Sequence, residues 1–83
     1  MSQIAFHLYV ERRDASRNMA RFYALSLEHT LFGLALSRRY GRIGTHGREL
    51  IEYPETVDVA IERFINLART KRRRGYALRS STC

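Results

Sequence analysis

Residues 34–53 read LALSRRYGRIGTHGRELIEY. Two runs rich in apolar residues flank a segment carrying Gly41, Gly44 and Gly47. Gly44-Thr45-His46-Gly47 has hairpin length and the residue types that tight turns use. The stretch is therefore expected to form two antiparallel strands, 34–43 and 48–53, the second ended by Pro54. In the first strand the parity drifts: Leu34 and Leu36 share a face with Arg38, Tyr40 and Arg42, and Ile43 falls on the other. Either a bulge at Gly41 resets the alternation, or the strand leaves the core partway along.

Working outward, residues 20–28 read as a strand with Tyr23, Leu25 and Leu27 on one face and Phe22 on the other. Residues 29–33 connect it to the next strand. Residues 3–11 alternate well, Ile4, Phe6, Leu8 and Val10 against Ala5, His7, Tyr9 and Glu11, and read as a half-buried strand. The polar run 12–18 reads as a surface loop. Downstream, Thr56 is a fair N-cap for a helix to about Arg74. Val57, Ala60, Ile61, Phe64, Leu67 and Ala68 form its apolar stripe. Lys71-Arg72-Arg73-Arg74 suits the negative end of the dipole. Gly75 is the expected left-handed C-terminal residue, with Tyr76 as its hydrophobic partner. Residues 77–83 add a short edge strand or a tail. The expected fold is α+β: an antiparallel sheet of four to five strands with one amphipathic helix packed on it, a single domain over 1–83.

Composition narrows the function. The chain has 83 residues, 15 Lys plus Arg against 8 Asp plus Glu, and a formal net charge of +7. Lys71 is the single lysine; the other cations are arginines, whose planar forks match phosphate oxygens in pairs. A polyanionic partner is one reading and a solvated basic surface the other. Cys83 is alone, which excludes a disulfide framework and a cysteine zinc site and fits a reducing, cytoplasmic compartment, with nucleoid association in scope. The start carries no basic, apolar leader pattern, and no apolar run approaches the ~20 residues of a membrane helix. No membrane partner is expected.

Arg38, Tyr40 and Arg42 project together from one strand, so that the ring can stack on a base or sugar while the guanidinium groups hold phosphates. The glycine loop offers backbone amides for an anion, or is simply a hairpin with unusual angles. It is not a P-loop, since no Gly-Lys-Ser/Thr and no helix follow it. Cations from Arg69 to Arg79 form a second basic segment. His7, His29 and His46 lack metal-ligand spacing, so neither metal nor cofactor is expected. His46 with Arg42 and Arg48 is the one candidate for acid–base work on a phosphodiester, which would make the chain a small ribonuclease. Tyr9, Tyr23 and Tyr53 are the candidates for an exposed aromatic stripe on a protein-interaction or scaffold module.

Arg21-Phe22-Tyr23-Ala24-Leu25, Leu31-Phe32-Gly33, Arg39-Tyr40-Gly41-Arg42-Ile43-Gly44-Thr45-x-Gly47 and a helix ending Lys71-Arg72-Arg73-Arg74-Gly75-Tyr76 together resemble a WGR domain in its bacterial stand-alone form. The resemblance spans about residues 4–76. It implies an antiparallel sheet bearing one helix, and a non-enzymatic DNA-binding module with no transferase activity. In the WGR domains of poly(ADP-ribose) polymerases the signature sits at a DNA break, its aromatic against a sugar and its arginine on DNA and neighbouring domains. Carried over, those roles fall on Tyr40 and Arg42, with Gly41 between them. Arg21 and Asn18 take backbone or 5′-phosphate contacts. Arg38, Arg39 and Arg48 supply further phosphate contacts, and the Gly44–Gly47 turn permits close approach. The departure is Tyr40 where the family has Trp, which keeps a flat face but offers less stacking area. DNA ends or nicks are the expected ligand, DNA ahead of RNA, with another protein as the alternative partner.

Overall fold

The computed structural model describes residues 3–78. The elements are β1 (Gln3–Asp14), a 3-10 turn (Ala15–Arg17), β2 (Met19–Thr30), β3 (Gly33–Arg42), β4 (Arg48–Glu52) and α1 (Val57–Arg73). The strands form one antiparallel sheet in the order β1-β2-β3-β4. This is the expected α+β arrangement.

Two expectations about the strands are corrected. The run 12–18 is not a loop throughout: β1 continues to Asp14, with Arg12 opposite Arg21 and Arg13 opposite Ala20. Only the tip turns. There the Ser16 amide and hydroxyl both donate to Asp14 Oδ1, at 3.1 and 2.6 Å, and Asn18 adopts the left-handed conformation (φ 50°, ψ 42°). Apolar alternation marks only the part of a strand that the helix covers; backbone pairing carries it further. Gly41 also marks no bulge, because β3 pairs with β2 in unbroken register from Gly33 to Arg42. A register shift does occur in β1, between Ile4 and Phe6, within the run whose apolar residues alternate well in sequence.

One face of the sheet carries the helix. Val10, Tyr23, Leu25 and Tyr76 form one buried cluster, flanked by Leu8, Tyr40, Phe64, Leu67 and Ala68. Leu27, Leu36 and Ala60 form the other, flanked by Leu34, Ile61, Phe64 and Leu67. The expected helix stripe is thus in place from Ala60 to Ala68, but Val57 lies outside it, 50% exposed in the first turn. Thr56 Oγ1 accepts from the Val59 amide at 3.2 Å. At the other end Gly75 (φ 96°) lets the Tyr76 amide reach Lys71 O and its own amide reach Arg72 O, both at 3.1 Å. This pair of hydrogen bonds is the Schellman closure. It turns the chain back, seats Tyr76 in the core, and brings Ala77 into a reciprocal backbone bridge with Glu11, both bonds 2.9 Å. The expected edge strand is reduced to this bridge; residues 79–83 lie outside the described part.

The opposite face carries a smaller stack. Phe22 lies parallel to Tyr9, centroids 6.0 Å apart, with the Arg39 guanidinium 4.8 Å above its ring. The β3–β4 turn folds over this stack. A Cβ on Gly47 (φ 75°) would collide with the Tyr40 carbonyl oxygen, and one on Gly41 would come within 2.8 Å of Gly47 Cα. These two glycines are required by backbone contact.

Candidate functional site

Cross-strand register assembles the site. Arg12 stands opposite Arg21, and Arg21 opposite Arg42, across β1, β2 and β3. One pair further along the same face come Val10, Tyr23, Tyr40 and Arg48, and then Leu8, Leu25, Arg38 and Leu50. The face therefore grades from apolar beneath α1 to cationic beyond the helix's C-terminal end. β3 does leave the core partway along, which explains its parity.

The end of α1 adds to this surface. Lys71 Nζ lies 4.6 Å from the Tyr23 ring centroid and 5.3 Å from that of Tyr76. Burial, and then the charges of Arg74, Arg38 and Arg21, hold the Lys71 pKa below the ordinary lysine value. Lys71 is thus a cation held close to other cations. Arg42 donates to the Asn18 carbonyl at 3.4 Å, joining the β1–β2 tip to the same surface. Carboxylates are scarce there. Glu52 is engaged by Arg63 through two hydrogen bonds of 3.0 and 2.9 Å and touches Arg38 only at 4.0 Å. The Arg63 hydrogen bonds hold the Glu52 pKa below the usual glutamate value. Among the described residues, Arg21, Arg42, Arg48, Lys71 and Arg74 make no ion pair.

Between β3 and the last turns of α1 runs a groove of about 340 Å³, lined by Tyr23, Arg38, Tyr40, Lys71 and Arg74 over a floor that includes Leu67. Tyr40 is half-buried, its ring 6.0 Å from Tyr23 at 31°, so it borders the groove and does not stand free. Among the described residues, nothing hydrogen-bonds the buried Tyr23 hydroxyl or Arg38 Nε with good geometry. Burial raises the Tyr23 pKa, and the adjacent Arg38 guanidinium offsets part of that rise.

Of the residues expected at the site, Arg21, Arg38, Tyr40, Arg42 and Arg48 share the helix-side face, and Asn18 adjoins it. Arg39 and Gly41 occupy the opposite face, with Gly47 packed against Gly41. Arg39 covers Phe22 and donates from Nη1 to the His46 carbonyl at 2.7 Å, so its immediate role is to hold the turn. Gly44 (φ 94°) stands in open space. The turn is closed by its own groups, Thr45 donating from its amide and hydroxyl to Arg42 O at 3.0 and 2.7 Å. His46 is exposed, and no metal-binding cluster occurs among the described residues. Tyr9 and Tyr23 lie on opposite faces, which dissolves the expected tyrosine stripe. Arg12 and Tyr23 join the site without a signal in the sequence, whereas Lys71 and Arg74 come from the basic segment at the helix end, which the sequence reading keeps apart from the Tyr40 cluster.

Comparison with known proteins bears on the same residues. The family model described as the WGR domain matches residues 6–82. The chain is 49% identical over 77 residues to a Sinorhizobium fredii protein named "Uncharacterized protein y4dW". The match covers 92% of this chain and 38% of that relative, so the chain spans well under half of the relative's length. No solved structure gives a match.

Proposed function

The chain belongs to the WGR domain family, and from that premise we propose that it is a non-enzymatic module that binds DNA, ahead of RNA, at ends or nicks. The family is one of binding modules associated with nucleic acid. In this reading the exposed part of the half-buried Tyr40 ring meets a sugar or base, Arg21, Arg38, Arg42 and Arg48 hold phosphates, Asn18 flanks them, and the turn at Gly44 permits close approach. Arg39, Gly41 and Gly47 serve by holding the turn that carries Arg48. A cytoplasmic location goes with this reading, with nucleoid association in scope.

The observation that carries this reading is the row Arg12–Arg21–Arg42. Like charges placed directly opposite in a sheet are destabilising. A polyanion removes that penalty, and phosphates are the polyanion that arginine forks fit. Binding then falls steeply with salt as counterions are released. The test is fluorescence anisotropy with a 5′-phosphorylated nicked duplex, an intact duplex, a single strand and RNA, at two salt concentrations. The reading expects the nicked duplex to bind best, and Tyr40→Ala and Arg42→Ala to weaken it. Absence of binding to all four probes near physiological salt overturns it.

A second reading, a protein-docking module, is favoured by one feature. Leu31 and Phe32, at the β2–β3 tip, are 85% and 86% exposed. A partner captured by that tip would survive nuclease and high salt and be lost on Phe32→Ser.

A further inference from the structure

The groove between β3 and α1 is not explained by the reading above, which uses its rim. Three cations line it, Arg38 from the sheet and Lys71 and Arg74 from the helix end, and among the described residues no carboxylate does. The Tyr23 hydroxyl is a donor on a residue only 2% exposed; the Arg38 guanidinium lies beside it, and among the described residues nothing accepts its proton. Arg38 Nε is likewise buried and unpartnered. Buried polar groups in native folds are nearly always satisfied, and those that are not call for a missing ligand or a specific role. Among the described residues, the acid that pairs with Arg38 is Glu52, which is already held by Arg63 and meets Arg38 only at 4.0 Å.

The geometry points to a seat for one phosphoryl group in this groove, with Arg38, Lys71 and Arg74 supplying charge and the Tyr23 hydroxyl supplying a buried donor. A tetrahedral oxyanion has enough acceptor oxygens to satisfy all of these donors at once. It also relieves the repulsion among the cations around Lys71. Leu67 and the rings of Tyr23 and Tyr40 give the groove an apolar side, which lowers the local dielectric and strengthens charge-assisted hydrogen bonds. The seat does not depend on the nucleic-acid reading, because a free phosphate satisfies the same donors. The phosphoryl group can come from a nucleic-acid backbone, from a nucleic-acid terminus or from a small phosphate ester.

The experiment is a titration of the full, isotope-labelled chain with inorganic phosphate, followed by NMR at Tyr23, Arg38 and Lys71, against sodium chloride of equal ionic strength. The seat predicts saturable shifts with phosphate and none with chloride. Tyr23→Phe keeps the ring in the core and removes only the hydroxyl, so it is expected to melt no lower than wild type and to bind phosphate about tenfold more weakly. Arg38→Gln and Arg74→Gln are expected to weaken it as well, and Tyr23→Phe carries the test if either fails to fold. Linear, non-saturating shifts overturn the proposal, and so does a Tyr23→Phe chain that binds phosphate like wild type. Oligonucleotides of one sequence, 5′-phosphorylated or 5′-hydroxyl, are then used as competitors. Preference for the phosphorylated one assigns a terminal phosphate, equal displacement a backbone phosphate, and displacement by neither a small ester, each with the seat retained. Loss of DNA binding with phosphate binding intact removes the nucleic-acid reading alone.

Discussion

Arg21 and Arg42 stand directly opposite one another across the β2–β3 ladder, with Arg12 opposite Arg21 on its other side. Below this row the same sheet face carries Tyr23, Leu25 and Leu27 into the core. The cationic and apolar halves of the face are separated only by where the helix ends. Stability is built at one end of the sheet, and charge is collected at the other.

That collected charge should be visible in the free protein. At low ionic strength the melting temperature is expected to rise with added sodium chloride, because screening shortens from about 30 Å at 0.01 M to about 8 Å at 0.15 M. Arg21→Gln should melt higher than wild type in dilute buffer, with the difference shrinking as salt is added. A melting temperature that falls with salt over this range contradicts the repulsive row.

The turn that carries Arg48 rests on two glycines. Gly47→Ala places a Cβ against the Tyr40 carbonyl and 2.9 Å from Phe22 Cζ, at φ 75°. Denaturant titration should show it costing more than the ~1–3 kcal/mol of left-handed strain alone. Gly44→Ala meets open space at φ 94° and should cost no more than that strain. Equal losses for the two would contradict the close packing of the turn on Phe22.

Core placement separates two apolar residues that a pattern treats alike. Leu36 is fully buried, so Leu36→Ala should cost about 2–5 kcal/mol. Val57 is 50% exposed, and Val57→Ala should cost well under that. Chemical denaturation of the two variants checks the ranking.

The Glu52–Arg63 pair ties the edge strand β4 to α1. The folded-state pKa of Glu52 is depressed, so its contribution is fully present above the unfolded glutamate pKa, about 4.3. That contribution is lost as pH falls through the folded value. Glu52→Gln is therefore expected to lower the melting temperature at pH 7, with the gap to wild type closing in acid. A gap that persists at low pH would place the effect elsewhere.

Much of the fold is legible in the chain because its signals are local. Thr56 and Gly75 bound the helix, and Leu25, Leu27 and Leu36 announce the covered face. The polar extension of β1 to Asp14 is silent, since backbone pairing leaves no hydrophobic mark. The site is half legible. Strand parity alone unites Arg38, Tyr40 and Arg42, but their junction with Arg21, Lys71 and Arg74 depends on register and on where α1 stops. Gly41 and Gly47 look like part of a ligand loop in sequence, and the structure puts backbone and Phe22 against them. The buried Tyr23 hydroxyl is invisible in sequence, where Tyr23 reads only as one more core aromatic.

The central claim is that the arginine row meets phosphates. It is tested most directly by measuring the affinity for nicked duplex DNA across a salt series, for wild type and for Arg21→Gln and Arg42→Gln. Each lost phosphate contact should make the slope of log affinity against log salt shallower by about 0.9. Shallower slopes and weaker binding in both variants are the expected result. Binding with wild-type slope in both variants, or no binding by the wild type, would contradict the account.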